Sequence, residues 1–592
     1  MYRAVLFPRA VPVMNKSNRS AFLHRATALS KAVSFALVLC LPMSCGNLSD
    51  DCTYVRTCAG DEGGEGGTGG VSMSGGNTQG GQIWSMGVEG GRGADADADE
   101  GGEVGISGAS GASGAGGEGG APSACDTTKS PSVETCVATD AHAVFVAPTG
   151  ADSADGSRAN PLKSITKALA LAEVSGKAVI ACNGRFDEHV SVTVGARLYG
   201  GFACPTEKVP WRYQRGRRAQ VVPSDEGTAL EIRNVADAVT IEDVEFYSRD
   251  ATTPSGSSIA AIVEGSNDVR LARIRILAGG AMAGEDGISG ANGADGYAVI
   301  SQQRGNDAIC GRQAPEIDFG GNWLANSACG SRGGSGGPSD KGYFGFPGSA
   351  GLPRSNVLAQ SAADLENGGD EGREGGNGKP GAPGLSGARG QAADDATFTA
   401  LGFTPALAGG AGTDGFPGQG GGGGGASNAT GECIGASGGA GGMGGCGGKG
   451  GTGGSAGGGS VALLVWSSAL TLDACELIAQ EGGNGGKGGD GGLGGLGKDG
   501  GIGGAAFSDG SNSVGKGGNG GPGGNGGAGG PGAGGNGGPS IALVVHGIAP
   551  EGVASSVLTA GIAGEAGPGG SAGALAGVDG KAGIASAQLS VP

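Results

Sequence analysis

Apolar residues are bunched along this chain rather than spread through it. Four short segments share one layout: 228–246, 258–276, 460–477 and 540–560. Each opens with a small hydroxyl residue (Thr228, Ser258, Ser460, Ser540) and an apolar strand, then a brief polar turn. Three continue as apolar-x-apolar-x-x-apolar-x-apolar: Val239, Ile241, Val244, Phe246; Val269, Leu271, Ile274, Ile276; and Leu470, Leu472, Cys475, Leu477. The fourth is looser, with Val553, Ser555, Leu558 and Ala560. Alternation predicts a strand with one buried face. The additional residue between the alternating pairs resets the phase, and a bend there turns both short strands inward. Three strands around a shared interior make one coil. Stacked coils bury a ladder that no single repeat could bury alone.

Upstream, residues 142–182 read as strand, loop, helix, strand. Pro161 stands near the helix start, Ile165, Ala168, Leu169 and Ala172 recur at helical spacing, and Gly176 stops it. Such a helix would cap the open strand edges of the first coil. The stretches "VFVAPTGADSADGSRANPLKSITKALALA" and "GRFDEHVSVTVGARLYGGFAC" resemble the opening of secreted right-handed parallel β-helix proteins of the pectate-lyase-like superfamily, most clearly over 144–204. The resemblance implies a three-faced β-helix. It implies no activity, since that superfamily includes lyases, hydrolases and non-catalytic adhesins. The expected fold is therefore all-β: a right-handed parallel β-helix over 141–592, with an N-terminal capping helix and long glycine-rich loops.

Those loops fall between the third strand of one coil and the first of the next, at about 278–457, 482–539 and 561–583. Glycine supplies 139 of the 592 residues, far above the usual ~7%. Over 482–503 and 517–538 it recurs with period three, as in "GGNGGKGGDGGL", which is the period of an extended polyproline-II-type helix. The runs resemble PGRS-type glycine-rich surface proteins in composition. "GKPGAPGLSGARG" (378–390) looks collagenous, but collagen needs far more than the 25 prolines present. Two readings stay open. Either the runs are flexible loops, or they form a polyglycine-II bundle in which 482–503 goes out, "AAFSDGSNSVGK" turns, and 517–538 returns beside it.

Aromatic residues are only 4% of the chain and the net charge is −18, which argues against nucleic acid and anionic lipid as partners. Residues 1–44 hold six basic residues and no acid, with an apolar stretch at 32–41 too short to span a bilayer. They read as a signal peptide, with Met14 as an alternative start. "LPMSCG" resembles a bacterial lipobox and nominates Cys45 for lipidation, plain cleavage and secretion being the alternative. Residues 45–140, rich in Gly, Ser, Ala and acid, read as a flexible tether with an r.m.s. span of roughly 50–60 Å. Setting aside Cys40 and Cys45, ten cysteines fall into neighbouring pairs: Cys52–Cys58, Cys125–Cys136, Cys182–Cys204, Cys310–Cys329 and Cys433–Cys446. Cys475 is left over in an apolar strand. This usage points to an oxidising compartment, although order along the chain does not fix connectivity.

Signatures of catalytic chemistry are sparse in this chain. G-x-S-x-G occurs four times, each in a glycine run rather than at a strand-to-helix elbow. His142, His189 and His546 form no metal motif. No catalytic or metal-binding residue is assigned, and no cofactor is expected, calcium being the one ion to test. Glu242 and Asp243 beside Arg270, Arg273 and Arg275 are the acids and bases an enzyme on this fold would draw on, but no linear motif joins them. "WRYQRGRR" supplies a carbohydrate-binding candidate in Trp211, Arg212, Tyr213 and Arg215, and "YFGFPG" and "DGFPG" supply aromatics for the longest loop. The expected protein is exported to a bacterial outer membrane or cell surface and touches the membrane through a lipid anchor only. It is non-enzymatic and structural or adhesive, meeting polysaccharide, envelope or matrix. The alternative is a polysaccharide lyase or glycoside hydrolase.

Overall fold

A computed structural model describes residues 125–206 and 210–592. The signal segment, Cys45, Cys52, Cys58 and most of the expected tether lie outside the described residues. The end of that tether does not. Cys125–Cys136 is a disulfide, and Val137 is buried in a cluster with Phe145 and Trp211. Packed structure therefore starts by residue 125 and not at 141, because one cross-link and one inward valine tie this stretch to the first strands.

Three six-stranded parallel sheets carry the fold, and in each the spatial order of strands follows their order in the chain. The first runs through Ala143–Val146, Ala178–Cys182, Ala196–Phe202, Val239–Glu242, Val269–Ala272 and Leu470–Asp473. The second runs through Val190–Val192, Leu230–Arg233, Ser258–Glu264, Ser460–Trp466, Ser540–His546 and Ala585–Val591. The third runs through Arg185–Phe186, Ala219–Val221, Val244–Tyr247, Arg275–Leu277, Glu476–Ile478 and Val557–Thr559. The chain visits the three sheets in turn, which makes a parallel β-solenoid.

The register stacks like on like. Leu198, Ile241, Leu271 and Leu472 are successive partners in the first sheet, and Phe186, Val221, Phe246, Ile276 and Leu477 in the third. All are buried in one core. The phase-resetting residue is Asp243, Arg273 or Ala474, with φ of 56°, 51° and 54°. A single left-handed residue turns the chain sharply without breaking the inward alternation. A second left-handed corner holds Asn234, Gly265, Ser467 and Gly547. The helix α1 (Ile165–Ser175) is capped by Ser164, whose side chain accepts from Lys167 N, and ends at left-handed Gly176. It buries Ile165, Ala168 and Ala172 in the solenoid core.

At the far end the ladder turns polar. Val263, Val465 and Val545 are followed by Ser590, and Leu463 and Leu543 by Gln588. The final rung thus puts polar side chains where each earlier rung puts core residues, which suits the terminal repeat of a stack.

The third corner emits the glycine runs, and they are ordered. Eight extended runs, about 284–296, 375–390, 409–424, 439–457, 482–504, 517–538, 564–570 and 577–583, exchange backbone hydrogen bonds every third residue. Gly486, Gly489, Gly492 and Gly495 donate to Ser455, Thr452, Lys449 and Cys446, while Gly520, Gly523, Gly526 and Gly529 donate to Gly501, Lys498, Gly495 and Gly492. The second ladder is the outward-and-return pair around 482–538, turning at the hairpin Phe507–Ser508 with Ser513–Val514. Of the two readings open in the sequence, the bundle is the one present.

Candidate functional site

Glu242 and Asp243 end a strand of the first sheet and are 3% and 4% exposed. Arg273, one coil on, closes on both: Nε lies 3.0 Å from Asp243 Oδ1, and Nη2 lies 2.8 Å from Asp243 Oδ2 and 2.7 Å from Glu242 Oε2. Ser130 donates to Glu242 at 2.6 Å and Tyr213 to Asp243 at 3.0 Å. These hydrogen bonds, first that to Asp243, hold the Arg273 guanidinium above its ordinary pKa, and burial beside Asp243 raises the Tyr213 phenol. The neighbouring charges are paired too: Arg270 with Asp473 at 2.7 Å, Arg218 with Glu476 at 2.9 Å, and Arg275 with Glu245 and Glu476 at 3.6 and 3.4 Å. Each arginine links its own coil to another. The arrangement is an inter-coil brace in which Glu242 and Asp243 are both ion-paired to Arg273.

The aromatic basic patch is also taken apart by the fold. Trp211 is 7% exposed, edge-on to Phe145 at 4.8 Å, and its indole N–H donates to the Arg158 carbonyl at 3.0 Å. Tyr213 packs edge-on to Phe202 at 5.6 Å. Arg212 and Arg215 remain exposed. Of the four carbohydrate-binding candidates, Trp211 is buried and Tyr213 half-buried against the first strands, so both rings pack into the fold while the two arginines face solvent. The sequence misled here because alternation with arginine resembles a surface stretch, whereas the chain folds Trp211 over the outer face of the first strands.

The glycine bundle carries the exposed chemistry. In the inner runs two glycines of each turn face neighbouring backbones. A Cβ on Gly523 would lie 2.1 Å from Met443 O, and one on Gly524 would lie 2.3 Å from Ala382 O. No side chain fits there, so glycine is obligatory. Over its length the run 517–538 hydrogen-bonds to six others. The peripheral run 284–296 has fewer neighbours and needs only one glycine per turn, as in "GEDGISGANGADG". The third residue points outward and often has a second task. Asp286, Asn292 and Asp295 accept from the amides of Lys487, Leu493 and Leu496 at 2.7, 2.8 and 2.8 Å. Asn519 and Asn525 accept from Gly503 and Gly497, both at 2.9 Å. These five amides have no backbone partner and are satisfied by side chains instead.

The hydroxyl residues that open the coils anchor the necks of these excursions. Ser460 Oγ donates to Gly279 O at 2.8 Å and accepts from Gln480 N at 2.9 Å. Ser540 Oγ donates to Gln480 O at 2.6 Å and accepts from Gly561 N at 2.8 Å. The recurrence of these serines was visible in the sequence, but their role was not.

Four disulfides are present among the described residues. Cys125–Cys136 and Cys182–Cys204 join sequence neighbours, but Cys310 bonds Cys433 and Cys329 bonds Cys446. The neighbour pairing of Cys310 with Cys329 and of Cys433 with Cys446 is corrected. The returning run brings Cys433 and Cys446 alongside hairpins more than a hundred residues upstream. Four disulfides fit an oxidising, extracellular setting. No helix among the described residues is long and apolar enough to cross a membrane. Cys475 is a buried free thiol, its pKa raised by burial, and its S–H points to Leu271 O at 3.1 Å. It behaves as a small core residue.

Residues 148–198 match a family described as "Protein of unknown function (DUF1565)", whose members are typically parallel β-helices. That segment holds α1 and the strands around it, and with the three parallel sheets it fits a β-helix. No curated protein matches the chain. A crystal structure of GH136 lacto-N-biosidase from Eubacterium ramulus aligns with 23% of this chain and 27% of its own, at 16% identity and a TM-score of 0.19. The chain therefore spans under a third of that enzyme's length, and so slight a likeness transfers neither fold nor activity.

The exposed aromatics gather in one place. Tyr297, Phe319, Trp323, Tyr343, Phe344, Phe346 and Phe416 are the exposed aromatic side chains among the described residues, and all belong to the longest excursion. The "YFGFPG" rings lie outward there, with Tyr343 and Phe344 more than 70% exposed. Trp323 has one face covered by Arg332, whose guanidinium carbon sits 4.4 Å from the ring centroid. Among the described residues no cluster of three or more His, Cys, Asp or Glu is placed to hold a metal ion.

Proposed function

We propose that this is an exported, surface-anchored, non-enzymatic structural or adhesion protein. A right-handed β-helix, closed at its first coil by α1, holds a glycine bundle away from the cell surface. Cys45 carries the lipid that tethers the chain to a bacterial outer membrane, and the partners are polysaccharide or other envelope and matrix components. The observation that carries this reading is the regular backbone hydrogen bonding between the glycine runs, repeated every third residue. At about 3.1 Å per residue, a run such as 482–504 reaches on the order of 70 Å from the solenoid corner, and the longest excursion, beside it in the bundle, exposes the aromatic side chains. The pairing of Glu242 and Asp243 with Arg273 supports the non-enzymatic half of the proposal.

The test is a polysaccharide panel measured for both retention and chain cleavage, with and without calcium. Retention without cleavage is expected. Cleavage that disappears in Glu242→Gln or Asp243→Asn would instead establish the lyase or hydrolase alternative. Fractionation of cells expressing Cys45→Ser checks the anchor: the variant is expected in the soluble exported fraction, and unchanged membrane association would refute lipidation at Cys45.

A further inference from the structure

Three runs and one hairpin of the glycine bundle enclose an open-mouthed cleft of about 330 Å³, toward the lower end of the range for small-molecule sites. Its walls are the runs 291–294, 414–417 and 446–449, and the hairpin residues Ala328 and Cys329. The Cys329–Cys446 disulfide ties the hairpin to the run opposite, so the cleft is held in shape by a covalent link and by backbone ladders. Its polar groups are few and defined. Lys449 Nζ lies 2.8 Å from Asp414 Oδ2, and Asp414 Oδ1 accepts from Gly450 N at 2.9 Å. Asn292 Oδ1 is taken by Leu493 N at 2.8 Å, which leaves its Nδ2 donor for a ligand. Tyr297 continues the run that forms one wall, and its hydroxyl is 3.1 Å from Ser327 Oγ, next to Ala328. Trp323, on the same hairpin, is held flat by Arg332.

We propose that this cleft is a binding site for a neutral pyranose unit of a polysaccharide. The inference rests on the adhesion reading above and deepens it by naming a ligand class and a place. The cleft's one cation is paired with its one anion, so the lining carries no net charge and gives no preference to an ionised ligand. A sugar hydroxyl both donates and accepts, and so matches an array of ammonium, carboxylate and amide that an apolar ligand would leave unsatisfied. Tyr297, hydrogen-bonded to Ser327 beside Ala328, provides a ring at the margin on which a neighbouring sugar of a chain stacks.

The experiment is calorimetric titration of the full-length mature protein with cellobiose, maltose and chitobiose, and with galacturonate dimer as the charged comparison. At least one neutral disaccharide is expected to bind and the uronate dimer not to. Asn292→Asp keeps the acceptor that serves Leu493 but replaces the free donor with a charged acceptor; Lys449→Met removes the cation. Each is expected to weaken binding about tenfold with the thermal unfolding midpoint unchanged. No binding of any neutral sugar, binding of the uronate dimer alone, or binding unaffected by both substitutions would overturn the site while leaving the adhesion proposal standing. Hydrolysis of the bound sugar would do the reverse.

Discussion

Arg273 of one coil closes a two-pronged ion pair on Asp243 of the coil before it, with Nε–Oδ1 and Nη2–Oδ2 separations of 3.0 and 2.8 Å. Both residues are also the left-handed corner residues of their coils, so one side-chain pair braces two adjacent bends. Arg273→Ala leaves Glu242 and Asp243 buried without their cation, and is expected to lower stability by about 3 kcal/mol in chemical denaturation. Arg273→Gly makes the same electrostatic loss but relaxes the corner, and should recover about 1 kcal/mol of it. Equal losses for the two variants would show that the left-handed conformation is not maintained.

Gly441 sits where a run meets its neighbour, and a Cβ there would lie 1.8 Å from Gly421 O. Gly441→Ala must push the two runs apart. Hydrogen exchange is expected to show faster exchange at Gly421 and Gly442, which donate to Gly442 O and Gly521 O, and a loss of about 1–3 kcal/mol is expected in bundle stability. Lys487→Ala, at an outward position in the same bundle, should change neither. Rapid exchange of these amides in the unsubstituted protein would contradict an ordered bundle outright.

The coils were legible because period-two alternation and the one-residue phase step are both one-dimensional signals. Val239, Ile241, Val244 and Phe246 could be assigned to an interior without knowing what lay opposite. The last rung, Ala585–Val591, was not legible. Its inward positions are polar Gln588 and Ser590, so a pattern search for apolar alternation passes over it. The direction of Trp211 was hidden because burial there depends on Phe145 and Arg158, more than fifty residues away. In the bundle, period-three glycine revealed the extended helices. Which run lies against which is set by the order of excursions in space, and local composition does not encode it.

The neck serines make a separate expectation. Ser460 is fully buried and bridges Gly279 O to Gln480 N. Ser460→Ala strands an acceptor and a donor at the base of two excursions, and is expected to cost about 1–3 kcal/mol. Amide exchange should quicken at Gln480. An unchanged midpoint and unchanged protection would mean that these hydroxyls do not anchor the excursions.

His189 provides a pH signature. Nδ1 lies 2.8 Å from Thr228 O and Nε2 lies 2.9 Å from Asp225 Oδ1. Both partners are acceptors, so the ring is best served as the imidazolium. Its pKa is raised, first by the Thr228 carbonyl and then by Asp225, against the opposing effect of burial. A raised folded-state value means that the stabilisation is complete below the unfolded pKa of about 6.5 and is lost as pH rises through the folded one. The stability difference between the unsubstituted protein and His189→Ala should therefore be larger at pH 5.5 than at pH 8.5. A difference independent of pH would show that the folded-state pKa of His189 is not raised.

The crossed disulfides offer the sharpest test of how the longest excursion is arranged. Cys310 and Cys433 lie opposite each other in a short antiparallel pair, Ile309–Cys310 with Cys433–Ile434, and Cys446 faces Cys329 from the run 439–457. Both bonds close loops of more than a hundred residues, for which the chain-entropy account gives about 4–5 kcal/mol each. Peptide mapping without reduction should recover 310–433 and 329–446 as linked peptides. Recovery of 310–329 and 433–446 would mean that the returning run does not lie beside the upstream hairpins, and the cleft between them would not exist. Cys310→Ser with Cys433→Ser should loosen the distal hairpins in hydrogen exchange while leaving the three parallel sheets protected, because the solenoid core contains neither cysteine.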